Sequence, residues 1–461
     1  MMEFCSAREL QNRTGHSVYE WPLVVAKEVM DNALDAAEEA EAAPDIAVTV
    51  EPDAIIIQDN AGGIDADSIA GVLDYTVRLS SREAYVSPSR GAQGNALKTI
   101  LAMAYVLDRE FVKAADPAGV TIIESLGVRH RIKFKVDHIN NQPKIVHTTA
   151  PSPVTVGARI TIKWPAKQIL DYAAAGFRRL VESYVWFNPH LTLRGVWFGQ
   201  EFVNVKASNP DWEKWRPRDP TSPHWYDEAR LQRYLAAHVS RDRDLGQRRA
   251  VRDFLAEFRG LTGTAVRCKI LTEVGCSHQS LAQLFGVKRL NRESVARLLA
   301  AMKKYSKPVK PERLGIIGAD HLKQRFLAAG GNPDTFQYQQ RKGVSDDGVP
   351  YVVEFAFGLH QAGLAPDGGA PRVMRVGEGR IALVGQGRVF VTGANFSAAI
   401  NNPFRSFGST GEGLENTLAK VRANANQPVI CALHLASARI QFADRGKSSI
   451  ILTDDAEQPD D

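Results

Sequence analysis

The chain has 461 residues, enough for two or three domains. Its 44% hydrophobic and 24% charged residues exclude a disordered or fibrous protein, and no apolar run is long enough to span a bilayer. The polar start, Met1 to Glu20 with Arg8, Glu9 and Arg13, lacks the pattern of a secretory signal. Four scattered cysteines (Cys5, Cys268, Cys276, Cys431) have no zinc-site spacing and fit a reducing interior. A cytoplasmic protein with no membrane partner is expected. The net charge of +5 is mild, but basic residues outnumber acidic ones roughly two to one between Arg241 and Arg325, and the chain ends in an acidic tail after Leu452. A solvated helical surface or a phosphate-backbone footprint would each produce that basic stretch.

Hydrophobic periodicity predicts a helix over Leu23–Glu39, then strands at Ala47–Glu51 and Ala54–Gln58 that read as a hairpin. Further strands are expected at Val120–Glu124, Arg131–Val136, Arg159–Trp164 and Leu191–Trp197. Helices among mostly antiparallel strands suggest a layered α/β sandwich over residues 1–207. Ser208 to Pro223 is a polar linker. Helical patterns follow at Ala229–Val239, Arg249–Phe258, Ser280–Phe285 and Glu293–Lys304, giving a helical part over 208–330. His16 is expected at the surface. After a Gly330–Gly348 loop, strands are expected at Tyr351–Phe357, Arg372–Gly377, Arg380–Val384, Arg388–Thr392, Val429–His434 and Ile450–Thr453, with a helix at Leu414–Asn424. These form a third part, 331–461.

Three motifs carry chemistry. Glu28 and Asn32 are four apart on the first long helix, hence on one face. A carboxylate there can take a proton from an attacking water, and an amide oxygen one turn on can hold Mg²⁺. An ordinary exposed helix would also carry such residues. Next, an apolar strand delivers Asp59 into the turn Asp59-Asn60-Ala61-Gly62-Gly63, where a carboxylate can accept an exocyclic amine and glycine lets the backbone come close. A plain turn reads the same way. Third, Arg90-Gly91-Ala92-Gln93-Gly94-Asn95-Ala96-Leu97-Lys98 runs a Gly-x-x-Gly turn into a helix, whose N-terminal N–H groups suit phosphate.

In order and spacing, these motifs resemble the three boxes of the Bergerat-fold ATPases, the superfamily of gyrase, heat-shock chaperones, histidine kinases and MutL. The resemblance implies Glu28 as general base and Asn32 as the Mg²⁺ ligand. It also implies Asp59 and Gly63 at adenine, Gly91, Ala92, Gln93, Gly94, Asn95, Ala96, Leu97 and Lys98 at the phosphates, and Ser81 and Arg82 in a mobile lid over ATP. Ala61 stands where many members have glycine, and Ala158 stands where a threonine often supports the Asp–adenine contact.

The later chain resembles the B subunit of type IIB DNA topoisomerase (topoisomerase VI). Lys307–Gly318 resembles the end of that family's helix–two-turns–helix insert. Pro350–Gly358 resembles the first strand of its transducer domain, and His434–Ser448 the loop returning a lysine to the ATP γ-phosphate. Lys447 is the implied switch lysine. The implied fold class is α+β: a Bergerat sandwich ATPase domain, a helical insert and an α/β transducer domain. The implied activity is ATP hydrolysis that closes a homodimeric clamp and drives DNA strand capture with a separate cleaving A-like subunit. Ser280–Val287 and Asn291–Met302 also pattern as a helix-turn-helix pair, with Lys288, Arg289, Arg292, Arg297, Lys303 and Lys304 placed for DNA phosphates. No long C-terminal helix is visible after Lys447. That favours a rival, a stand-alone MutL- or chaperone-like clamp. A second rival is a DNA-binding regulator with a decayed pocket, which Glu28, Asn32 and Asp59 argue against.

Overall fold

The computed structural model describes residues 4, 6–73, 84–90, 96–137, 142–244, 246–286, 291–361, 374–376, 379–381, 389–404, 428–443, 447 and 449–451. The expected helix Leu414–Asn424 and the acidic tail lie outside these residues, as do Leu452 and Thr453 of the expected strand Ile450–Thr453.

The N-terminal part opens with α1 (Ala7–Thr14) and α2 (Trp21–Glu39), the latter entered through Pro22, whose fixed φ suits a first helical turn. The strands β1 (Asp45–Glu51) and β2 (Ala54–Gln58) form the expected hairpin. They are followed by α3 (Ala66–Leu73), α4 (Ala96–Val106), β3 (Gly119–Ser125), β4 (Val128–Asp137), β5 (Gln142–Pro151) and β6 (Ala158–Lys163). Next come α5 (Lys167–Phe187), β7 (Thr192–Trp197) and β8 (Gln200–Val205). The eight strands make one sheet in the order β5-β4-β3-β6-β2-β1-β7-β8. Only β1 and β7 pair in parallel within it. Alternation sets its buried face: Ile46, Val48 and Val50 from β1 and Ala158, Ile160 and Ile162 from β6 turn inward, toward α2, α4 and α5. The α/β sandwich expected from the sequence is therefore present. Periodicity missed β5 because it is an exposed edge strand with no apolar alternation.

The helical part comprises α6 (Glu228–Asp244), α7 (Val251–Leu255), α8 (Thr264–Val274), α9 (Leu281–Phe285), α10 (Arg292–Lys304) and α11 (Ala319–Ala328). Helix α10 packs on α6, α8 and α9. Its start is fixed by Asn291, whose Oδ1 accepts the Ser294 N–H, and α9 starts in a Ser280/Gln283 capping box.

The last part holds β9 (Gln337–Val344), β10 (Pro350–Leu359), β11 (Met374–Val376), β12 (Gly379–Ile381), β13 (Val389–Ala394), β14 (Ser397–Ala398) and β15 (Val429–Ser437). A second sheet runs β14-β13-β15-β10-β9. Strand β9 replaces part of the loop expected over Gly330–Gly348. Its residues, Gln337-Tyr-Gln-Gln-Arg-Lys-Gly-Val344, are polar because it is an edge strand paired on one side only. Glu354 on β10 is 1% exposed; its carboxylate accepts the N–H groups of Ile317 and Gly318 and the Tyr338 hydroxyl, clamping the segment before α11 to the sheet.

Helix α5 packs against β7 and β8 of the first sheet and against β13 and β14 of the second. Its burial on two sides explains the fully buried Phe177, Tyr184 and Phe187, with Phe177 edge-on to Trp197 at 5.1 Å. Replacing Phe177 with alanine should cost about 3–5 kcal/mol. A lowered urea midpoint would register it; an unchanged midpoint would mean α5 is not the spine between the sheets.

Candidate functional site

A cavity of about 480 Å³ opens beside α2. Glu28 and Asn32 both line it, as their four-residue spacing requires, with Asn32 exposed to it and Glu28 half-buried. Met30 and Leu34 on the opposite side of the helix are fully buried and hold that face in place.

Across the cavity, β2 ends at Asp59. Its Oδ1 accepts the N–H groups of Ala61 (2.9 Å) and Ala158 (3.2 Å). Burial raises its carboxyl pKa, and those two bonds pull it back down. Ala61 is not among the residues of positive φ, so this turn does not require the glycine many relatives carry. Gly157 cannot be replaced so freely: φ is +71°, and a Cβ would lie 2.0 Å from the Asp59 carbonyl oxygen. Gly63, at φ +83°, also lines the cavity, and a Cβ there would meet Ser125 Oγ at 2.7 Å. Ser125, which sequence reading missed, binds both turns. Its Oγ accepts the Ile64 N–H (2.8 Å) and donates to the Gly157 carbonyl (2.9 Å). A lone hydroxyl closing an apolar strand was the available signal.

At the other end, Leu97, Thr99 and Ile100 of α4 line the cavity, and Lys98 on the same helix is buried. Ser81, Arg82, Gly91, Ala92, Gln93, Gly94 and Asn95 lie outside the described residues, and Ala96 is described only as backbone. Helix α1 closes this side: Arg13, Thr14 and His16 line the cavity, and Arg13 Nε donates to Thr99 Oγ1 (3.3 Å). His16 is thus 6% exposed rather than a surface residue, because the chain turns inward between α1 and α2.

Lys447 reaches the same cavity from beyond β15, with its Nζ 3.5 Å from the Arg90 carbonyl oxygen. Its backbone is in the left-handed region, φ +54°, unusual for lysine.

Arg90, immediately before Gly91, is 3% exposed and ties α2 to the segment after α5 and to the segment before β14. Its Nη1 donates to Asp35 (2.7 Å) and Glu38 (2.9 Å), and its Nη2 to Glu38 (2.7 Å) and Asn188 (2.6 Å). Its Nε donates to the carbonyl of Phe396, beside β14 (3.3 Å). Glu38 also receives Lys214 Nζ (2.7 Å) from the linker and lies 3.0 Å from His190 Nε2. Against the cost of burial, Arg90 and Lys214 hold the Glu38 carboxyl well below the usual range. For Asp35 burial dominates, pushing its carboxyl up to about 6 against the pull of Arg90. The Phe396 N–H donates to His434 Nε2 (2.9 Å), and burial drives that imidazole down to about 3, so it stays a neutral acceptor.

A second link lies one turn earlier on α2. Lys27 donates to Asp31 (3.2 Å), to the Ala398 carbonyl (3.0 Å) and to Ser397 Oγ. Asp31 in turn accepts from Ser397 Oγ (2.7 Å) and the Tyr184 hydroxyl (2.8 Å). Burial lowers the Lys27 pKa, Asp31 raises it, and the nearby Lys447 charge lowers it further. The helix carrying Glu28 and Asn32 is therefore bolted to β14 of the other sheet.

Among the basic residues expected to meet DNA, Arg297 is committed to the Val274 carbonyl (3.1 Å) and Lys304 to Glu273 (2.9 Å). Arg292 is exposed at the start of α10; Lys288 and Arg289 lie outside the described residues.

No family model matches the chain. It is 26% identical over 442 residues to the type 2 DNA topoisomerase 6 B subunit of Archaeoglobus fulgidus, covering 93% of this chain and 66% of that protein. The Methanosarcina acetivorans protein of the same name is 24% identical over 441 residues, covering 93% and 64%. The chain is similar to the B subunit of type 2 DNA topoisomerase 6. It spans about two-thirds of the length of these relatives. The ATPase domain of Aquifex aeolicus MutL complexed with ADP superposes at a TM-score of 0.32 and 9% identity over 89% of this chain and 90% of that one, too loose a match to assign a fold.

Asp35 gives a pH test. Its folded pKa lies above the unfolded value of 3.8, so its contribution is most favourable when protonated and is lost as pH rises through about 6. Asp35→Asn, which stays neutral, should gain thermal stability relative to wild type as pH rises from 4 to 7. A difference in Tm that is flat with pH would show that Asp35 ionises normally.

Proposed function

We propose that this chain binds ATP with Mg²⁺ in the cavity beside α2 and hydrolyses it to close a homodimeric clamp on DNA, as the ATPase subunit of a type IIB topoisomerase-like assembly. The observation that carries the reading is the convergence of Glu28, Asn32, Asp59 and Lys447 on one cavity, with Lys447 arriving from the second sheet. The division into an ATPase domain (1–207), a helical domain (208–330) and a transducer domain (331–461) belongs to the proposal.

Asp59 would accept the adenine amine through the carboxylate oxygen left free by the Ala61 and Ala158 N–H groups. The Gly63 turn lets the base approach the backbone. Among the described residues, no group of three or more His, Cys, Asp or Glu side chains converges on a metal ion. The donor set therefore suits Mg²⁺, which takes one or two protein oxygens and fills its shell with phosphate and water. Asn32 would supply the protein oxygen, and the bound ion would neutralise charge on the phosphates. Glu28, one turn away, would take the proton of the attacking water. Lys447 would offset charge gathering on the γ-phosphate and would lose that partner on hydrolysis, making the register of the second sheet depend on the nucleotide.

The relatives are named as B subunits, and the proposal extends to a separate DNA-cleaving A-like subunit and to a cytoplasmic, nucleoid-associated setting. Exposed Arg292 and the basic helical part would contact DNA phosphates.

Glu28→Ala should lower ATP turnover by about 10²- to 10⁴-fold while leaving nucleotide binding intact. Unchanged turnover would remove Glu28 as the base. A non-hydrolysable ATP analogue with Mg²⁺ should convert the wild-type protein from monomer to dimer in sizing experiments and leave Asn32→Ala monomeric. DNA binding should weaken steeply as salt is raised, and a flat response would exclude a phosphate-backbone footprint.

A further inference from the structure

A second cavity, of about 300 Å³, lies between the two sheets and the start of the helical part. Lys27, Tyr85, Ser87, Ser89, Ile400 and Lys447 line both cavities, so the two meet there. Asp59 and Gly63 line only the first. The junction is therefore at the Lys447 end, away from the Asp59 end.

The lining of the second cavity suits an anion. Among the described residues, Lys447 meets the Arg90 carbonyl and the face of Phe442 and no carboxylate. Ser87 Oγ is buried without a hydrogen-bond partner among the described residues. Further in stand Arg230 and Arg439. Asp227 accepts from both, and Asp347 takes the other end of Arg439 (2.6 Å). An entering anion would compete with these carboxylates, a trade of like partners that holds it without trapping it.

We propose that this cavity is the exit route for inorganic phosphate, which passes Lys447 and Ser87 and is received by Arg230 and Arg439. The inference rests on the ATPase reading above. A phosphate freed at the Lys447 end would have ADP between it and the Asp59 end. The second cavity offers a path in the other direction, with Lys447 at the junction as the cation not offset by a carboxylate among the described residues. Because the walls of the route include Asn395, Ser397 and Arg439, departure of phosphate would be sensed by the second sheet before ADP leaves.

Two variants test this in the full chain. Ala438→Phe puts a ring into the second cavity, which Ala438 lines, without touching the first. Arg439→Gln removes the receiving charge, and Arg439→Lys restores it. Single turnovers with Mg²⁺ and ATP would be followed by quenched flow for phosphate formed and by a phosphate-binding sensor for phosphate released. The expected result is formation at the wild-type rate with release delayed by about tenfold in Ala438→Phe and Arg439→Gln, and recovery in Arg439→Lys. Release that keeps pace with formation in both variants would overturn the exit route and leave the ATPase reading intact. No phosphate formed by wild type in the quench would instead sink the ATPase reading, and this inference with it.

Discussion

The bidentate bond between Arg90 and Glu38 is the constraint on which the site depends. A guanidinium and a carboxylate this deeply buried are tolerated only when their remaining donors and acceptors are filled. Here they are filled by groups from every part of the chain: Asp35 on α2, Lys214 in the linker, Asn188 and His190 after α5, and the Phe396 carbonyl beside β14. Each of these fills a donor or acceptor that burial would otherwise leave unsatisfied, so the surrounding elements are held in one arrangement. The Arg90 carbonyl meets Lys447, which lines the larger cavity, so the buried cluster reaches that cavity through Lys447.

The Lys27–Asp31–Ser397–Tyr184 cluster repeats the same logic one turn earlier on α2. Two polar ties from α2, one to β14 itself and one through Arg90 to Phe396 just before it, hold helix and strand together. Asn32 lies between the two ties and Glu28 between Lys27 and Asp31, both lining the larger cavity, which gives a physical route from that cavity to the second sheet. The neutral His434, held as an acceptor for the Phe396 N–H, extends the route into β15.

Much of this was legible in the sequence, for particular reasons. Glu28 and Asn32 were readable because helical spacing fixes their common face, and Asp59 because an apolar strand running into a glycine turn leaves few other places for it. The sheet hairpin and α10 followed from hydrophobic periodicity, and the linker from its polar composition. Other features were not legible. Strands β5 and β9 are edges whose exposed faces erase the alternation that marks a strand. His16 looked like a surface residue because nothing local shows that the chain turns inward there. Ser125 and Gly157 matter only through contacts across the sheet, and the pairings of Arg90 with Glu38 and of Lys27 with Ser397 span 52 and 370 residues. No local pattern encodes such partners; they exist only once both sheets have formed around α5.

The central claim is that the cavity proposed for the nucleotide and the second sheet are tied into one unit through Arg90. Amide hydrogen exchange of the segment spanning β13 and β14, with and without a non-hydrolysable ATP analogue and Mg²⁺, tests it most directly when wild type is compared with Arg90→Met. The account predicts protection of Phe396–Ala398 on adding the analogue to wild type and none in the variant, at nucleotide concentrations that saturate both. Equal protection in both proteins would contradict it, since the signal would then be reaching the second sheet without Arg90.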